Sequence, residues 1–226
     1  MQIGILQTGH APDALIDSAG DYPDMFARLL AGQGLTFRTY AVVDGVFPDS
    51  VHDADGWLIT GSRHGAYEDH PWIPPLEEFI REAYAARVPL VGICFGHQII
   101  AQAMGGRVEK YPGGWSVGPT RYDFGDEAMV LNAWHQDQVV EKPASAQVIA
   151  SNDFCANAAL LYDDRALTVQ AHPEFRRDFL HGLIEKRGRG LVPGPLLDDA
   201  LARLDMPLQD RTIATRIAEF FKHPRG

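Results

Sequence analysis

The chain has 226 residues, 46% hydrophobic and 22% charged, the composition of a globular protein long enough for one large α/β domain or two small ones. A formal net charge of −10 argues against nucleic acid as a main partner, because phosphate binding needs a basic surface. Two cysteines, Cys94 and Cys155, are too few for a disulfide framework, which fits a reducing cytoplasm.

Residues 3–6 read as a first strand with no basic region before it, so no signal peptide is expected, and no apolar run approaches the roughly 20 residues of a membrane helix. Residues 7–20 are polar and rich in turn formers, and read as a loop. Met25, Phe26, Leu29 and Leu30 fall at helical spacing over 22–31, and glycines end that helix. A strand over 35–43, a loop over 44–55 and a strand over 56–60 follow. Leu76, Phe79 and Ile80 mark a helix over 75–87, and residues 88–93 are a short apolar run of the length of a buried parallel strand. This alternation predicts a doubly wound α/β sheet with helices on both faces.

After 106 the pattern changes. Short strand candidates at 107–109, 116–122, 128–133, 147–151 and 158–162 suggest a meandering antiparallel layer. A strand over 167–171 and a helix over 174–186 come next, with Arg176, Arg177, Lys186, Arg187 and Arg189 read as a solvated helix end. Helices over 196–204 and 210–222 finish the chain, the last with Ile213, Ile217, Phe220 and Phe221 on one face, so the segment from about 190 to 226 should cover the core. No repeat or linker interrupts the sequence, and a single domain over 1–226 is expected.

The organising stretch is Gly92-Ile93-Cys94-Phe95-Gly96, between the strand at 88–93 and a helix whose apolar face holds Ile99, Ile100 and Ala103. Strand, sharp turn and helix make the cysteine form of a nucleophile elbow. The turn brings backbone against backbone, which glycine tolerates through its small size or a positive φ. It also sets Cys94 at a helix N-terminus, where free N–H groups and the helix dipole favour a thiolate. Such a nucleophile needs a base. Of nine histidines, His172 in Gln170-Ala171-His172-Pro173-Glu174 ends a predicted strand, at the sheet edge where Cys94 also sits. Pro173 suits a first helical position, and Glu174 in the same turn can orient the imidazole.

Gly92-x-Cys94-x-Gly96-x-Gln98, followed about eighty residues on by His172-Pro173-Glu174, resembles the class I (triad) glutamine amidotransferases over roughly residues 3–185. The resemblance implies a flavodoxin-like, mostly parallel core with a smaller antiparallel layer. It implies that Cys94 attacks the carbonyl of a glutamine side chain to form a thioester, with His172 as acid/base and Glu174 as its orienter. The backbone N–H of Phe95 would stabilise the oxyanion, joined by a donor from the glycine loop Thr60-Gly61-Ser62-Arg63-His64-Gly65, where Gly61 is kept and Ser62 and Arg63 depart from the family pattern. Gln98 and the stretch Trp134-His135-Gln136-Asp137 would hold the substrate, through His135, Gln136 and Asp137, with Gln136 replacing a family glycine. The run 93–98 and Gly114-Trp115 are similar to plant γ-glutamyl peptidases, which stand alone.

Three readings compete. The first is a hydrolase of glutamine or another γ-glutamyl compound, with or without a separate synthetase subunit. The second is the superfamily of cysteine-elbow proteases and deglycases, disfavoured because its acidic partner precedes the cysteine. The third is a binding protein on the same fold. With neither CxxC nor HxxxH, no metal site is expected, and no cofactor is called for.

Overall fold

In the structure, a computed structural model, residues 1–125 and 127–224 are described; Asp126, Arg225 and Gly226, which the single-domain expectation also spans, lie outside them. The first half alternates as expected: β1 (Gln2–Leu6), α1 (Asp13–Ala19), α2 (Tyr22–Leu29), β2 (Thr36–Tyr40), β3 (Gly56–Ile59), α3 (Ile73–Ala85), β4 (Leu90–Ile93) and α4 (Phe95–Ala103). The second half holds β5 (Arg107–Lys110), β6 (Ser116–Asp123), β7 (Ala128–His135), β8 (Asp137–Glu141), β9 (Gln147–Ala150), β10 (Ala159–Tyr162) and β11 (Ala166–Val169). Helices α5 (Arg177–Leu183), α6 (Gly194–Ala202) and α7 (Asp210–Lys222) end the chain.

One seven-stranded sheet has the order β2-β1-β3-β4-β11-β10-β9. Its first five strands are parallel, and β10 and β9 extend it antiparallel. Strands β3 and β4 are buried along their whole length, which a sheet covered on both faces requires of its central strands. One face packs on α3 and α4 through Trp57, Leu76, Ile80 and Ile99. The other packs on α2 and α7 through Ile5, Phe26, Leu58, Val91, Ile217 and Phe221. The α/β class and the docking of the last helix therefore hold, with Phe220 only partly buried beside that core.

Four details differ from the sequence reading. The loop at 7–20 contains α1, a seven-residue helix with one buried side chain, Leu15, too little periodicity to register. Strand β8 begins within the substrate-loop motif and was not expected. The antiparallel layer is not one meander: β5 pairs with β8, β6 with β7, and β9 and β10 join the main sheet. The helix expected from 174 starts at Arg177 and passes into a π turn over Ile184–Gly188, so Pro173 stands in a turn before the helix, not at its first position.

Because β1, β3, β4 and β11 run parallel, the loops after them all leave from one edge of the sheet. These are the segments starting at Gln7, Thr60, Cys94 and Gln170. The chain steps from β1 outward to β2 and then back across to β3, and a crevice at such a reversal is where open α/β sheets bind ligands.

Candidate active site

The elbow is made by two close approaches. A Cβ on Gly92 would stand 2.4 Å from the Gly96 carbonyl oxygen, and one on Gly96 would stand 2.3 Å from the Ile59 carbonyl oxygen. Glycine is required at both positions for space. The positive φ falls instead on Cys94, at φ 53° and ψ −102°. A non-glycine residue held there costs roughly 1–3 kcal/mol, which the surrounding packing must offset. Cys94 N donates to Val169 O at 2.9 Å and Gly96 N to Thr60 O at 3.1 Å, so the elbow is stitched to strands on both sides.

His172 follows β11 and bridges to β7, its N–H donating to Asn132 O at 2.8 Å. Asn132 Nδ2 in turn donates to Phe175 O at 2.8 Å, which fixes the turn that carries the histidine. The ring is held on two sides. His172 Nδ1 and Glu174 Oε1 are 2.6 Å apart, and Phe175 stacks on the imidazole at 3.9 Å and 6°. Burial alone would lower the pKa of His172, but the facing charges of Cys94 and Glu174 outweigh it and hold the imidazole at about 10. Cys155, by contrast, is pushed up to about 12 by burial in an apolar setting.

Sequence reasoning treated Gln170 only as part of a motif. Its side chain is fully buried, and Nε2 lies 3.6 Å from Cys94 Sγ. Gln98 orients it, donating from Nε2 to Gln170 Oε1 at 3.2 Å and to Asp137 O at 2.9 Å. A run of two amides thus links the backbone at Asp137 to the sulfur.

Gly61 sits against the histidine: a Cβ there would lie 2.8 Å from His172 Cε1 and 3.7 Å from Cys94 Cβ. The departure at Ser62 has a structural use. Its hydroxyl donates to Thr8 O at 2.7 Å and accepts from His64 N at 3.1 Å, fastening the glycine loop to the loop after β1. Phe95 is the first residue of α4, directly after Cys94, and its ring packs on Trp72 at 5.5 Å.

A cavity of about 610 Å³ opens over these residues, with Cys94, Gln98, His135, Gln136, Asp137 and His172 in its wall. His135, at the end of β7, is buried and its pKa falls to about 3 through burial and the neighbouring charge of His172, so it is a neutral wall residue. Gln136 O accepts from Tyr111 N at 3.2 Å, and a Cβ on Gly65 would come 3.1 Å from Asp137 Oδ2, so the loop after β3 and the segment after β7 nearly touch. The rim carries Arg63, Lys110 and Arg187. Arg187 was expected on a solvated helix end; the π turn after α5 brings it to the cavity instead.

A family model described as glutamine amidotransferase class-I matches residues 19–180. Gamma-glutamyl peptidase 4 of Arabidopsis thaliana is 33% identical over 220 residues, covering 89% of this chain and 87% of the relative. A glutamine-hydrolyzing GMP synthase component of Halobacterium salinarum is 31% identical over 170 residues, covering 71% of this chain and 87% of that one. The crystal structure of a glutamine amido transferase from Methylobacillus flagellatus superposes with a TM-score of 0.75 at 25% identity, covering 98% of this chain and 91% of that one. With the matched segment spanning the elbow, the glycine loop and the His-Pro-Glu turn, the chain belongs to the class I glutamine amidotransferase family.

Proposed function

We propose that the protein hydrolyses γ-glutamyl amide bonds through a Cys94–His172–Glu174 triad, without needing a tightly bound synthetase subunit. The observation that carries this is the meeting of a strained elbow cysteine with a buried imidazole backed by a buried carboxylate. The Cys94 thiolate attacks the γ-carbonyl carbon of the substrate. Phe95 N–H and Gly61 N–H donate to the resulting oxyanion. The His172 imidazolium gives its proton to the departing amine or ammonia as the C–N bond breaks, leaving a γ-glutamyl thioester. Water then adds with His172 as base, the C–S bond breaks, and glutamate and the thiolate are released. Glu174 keeps the ring in one orientation and stabilises its cation. His135, Gln136 and Asp137 frame the glutamyl end, and Gln98, whose amide is already engaged, supports that frame. One domain spanning the chain and the reducing cytoplasm are the proposed setting.

One feature favours a leaving group larger than ammonia: Arg63, on the rim of the cavity, is placed to meet a carboxylate. The rival reading, an amidotransferase serving a separate synthetase, draws on the likeness to the GMP synthase component. Steady-state assays of the isolated protein on glutamine, glutathione and γ-glutamyl amines separate the two. Cleavage of at least one supports the proposal; cleavage of none, with glutaminase activity appearing only on mixing with a nucleotide-dependent synthetase, rejects it. A diazo-ketone glutamine analogue should add once to Cys94 and not to Cys155, and Cys94→Ala should lose roughly 10⁴- to 10⁶-fold in kcat.

A further inference from the structure

We propose that His64, Glu68 and His70 form a binding site for one late first-row divalent cation, zinc above all, in the loop between β3 and α3. The three residues converge on one point. His70 Nε2 lies 2.8 Å and His64 Nδ1 3.3 Å from the same oxygen, Glu68 Oε2, and the three ligand atoms all fall within 4.8 Å of one another. A tetrahedral zinc with bonds of about 2.0–2.1 Å sets its ligand atoms roughly 3.3 Å apart, so rotamer adjustments alone admit the ion. Two imidazoles and a carboxylate suit zinc, cobalt, nickel or copper, and not calcium or magnesium, which take oxygen ligands.

The loop is built to hold this arrangement. Glu68 N donates to Gly65 O at 3.0 Å, His70 N to Glu68 O at 3.1 Å and Ile73 N to His70 O at 3.0 Å, a chain of turns that ends in α3. Trp72 is buried and packs on both imidazoles, at 5.9 Å and 12° from His70 and 6.0 Å from His64. The ligands remain open to an ion, with side-chain exposures of 20%, 43% and 30% for His64, Glu68 and His70. Arg63 Nε lies 3.5 Å from His64 Nε2, too long to fix that ring in one tautomer, and its exposed side chain is free to turn away. The spacing His-x₃-Glu-x-His lies on turns and not on a helix, which is why helical metal motifs do not reveal it.

Three protein ligands leave coordination open, and His64 and Glu68 line the same cavity as Cys94. The rings also connect inward, since Trp72 packs on Phe95, the residue after the nucleophile. An ion here ties the outer wall of the cavity to the base of the elbow.

The test is calorimetric titration of the full chain with Zn²⁺, repeated with Co²⁺ to read the visible d–d bands of a low-symmetry site. It is run on Cys94→Ala, which removes the competing thiolate and makes the result independent of the proposed catalysis. We expect one equivalent of Zn²⁺, with His64→Ala and His70→Ala each weakening it by at least the roughly 10- to 100-fold that outer-shell changes cost. Glu68→Gln should weaken it as well, and His52→Ala, outside the cluster, should leave it unchanged. Melting curves of each variant, and the milder His70→Asn, guard against simple misfolding. No binding with Zn²⁺ in excess, or binding that survives the His64→Ala/His70→Ala pair, overturns the proposal. So does binding found only when Cys94 is present.

Discussion

At the C-terminal edge of the sheet, Cys94, Gln170, His172 and Glu174 are buried and each is held by a neighbouring strand or turn. Across the cavity, Arg63, Tyr67, Glu68 and Arg187 are exposed and stand on loops or on a π turn. The first region gains its geometry from parallel strands in fixed register; Val169 pairs with Ile93, so Gln170 and Cys94 must emerge side by side. The second gains its geometry from turns and a π turn, with its side chains open to solvent. A bond-breaking apparatus needs placement to within about an ångström, whereas recognition of a leaving group tolerates slack. The two regions should therefore answer substitution very differently.

The largest contrast is expected inside the first region. In the proposed mechanism His172 moves protons and Glu174 orients it, so His172→Ala should cost roughly a hundredfold more in kcat than Glu174→Gln, the ratio found for base and orienter in a dissected serine-protease triad. Equal losses in two folded variants would refute that division of labour. Gly61→Ala comes next. Its methyl would press on the imidazole at 2.8 Å, and a shift of about an ångström costs on the order of 100-fold in kcat. An unchanged kcat would show that the glycine loop yields before the histidine does.

A third difference concerns acid. Burial, aided by the charge of His135 for His97 and of His172 for His135, lowers both pKa values from 6.5 to about 3. The unfolded chain then binds protons between those limits that the folded chain refuses, so this contribution to stability is full above 6.5 and is lost as pH falls toward 3. Melting temperature should drop on going from about pH 7 to pH 5, and His97→Gln should flatten that slope even if it lowers the plateau. A slope identical to wild type would mean that His97 is not what titrates. The smallest effect belongs to the rim. Arg63→Ala should raise KM up to about fivefold for a substrate whose leaving group bears a carboxylate, with kcat unchanged, because an exposed ion pair is worth no more than about 1 kcal/mol. A fall in kcat would place Arg63 nearer the chemistry than its exposure suggests.

The same contrast governs what could be read from the sequence. The parallel strands, the elbow and the last helix were legible because continuous apolar runs and an i, i+4 face write burial directly into the chain, as in 56–59 and in Ile213 and Ile217. The His-Pro-Glu turn was legible by motif, though not its start relative to α5. Helix α1 was not legible, since one buried leucine in seven residues makes no period. Gln170 escaped because its role depends on Gln98 and Cys94, which are 72 and 76 residues away. Arg187 escaped because a π turn, and not helical periodicity, decides where it points.

The clamp on His172 has a further consequence for traffic through the site. With Glu174 at Nδ1 and Phe175 against its face, the ring cannot turn to serve two positions. In the proposed cycle the departing amine and the arriving water must then occupy the same spot, one after the other. The order of exit and entry is set by a single doorway, and whatever amine stands there when the thioester forms is first in line to reverse the step. The ratio of hydrolysis to return, or to capture by a different amine, is decided by how quickly that doorway clears.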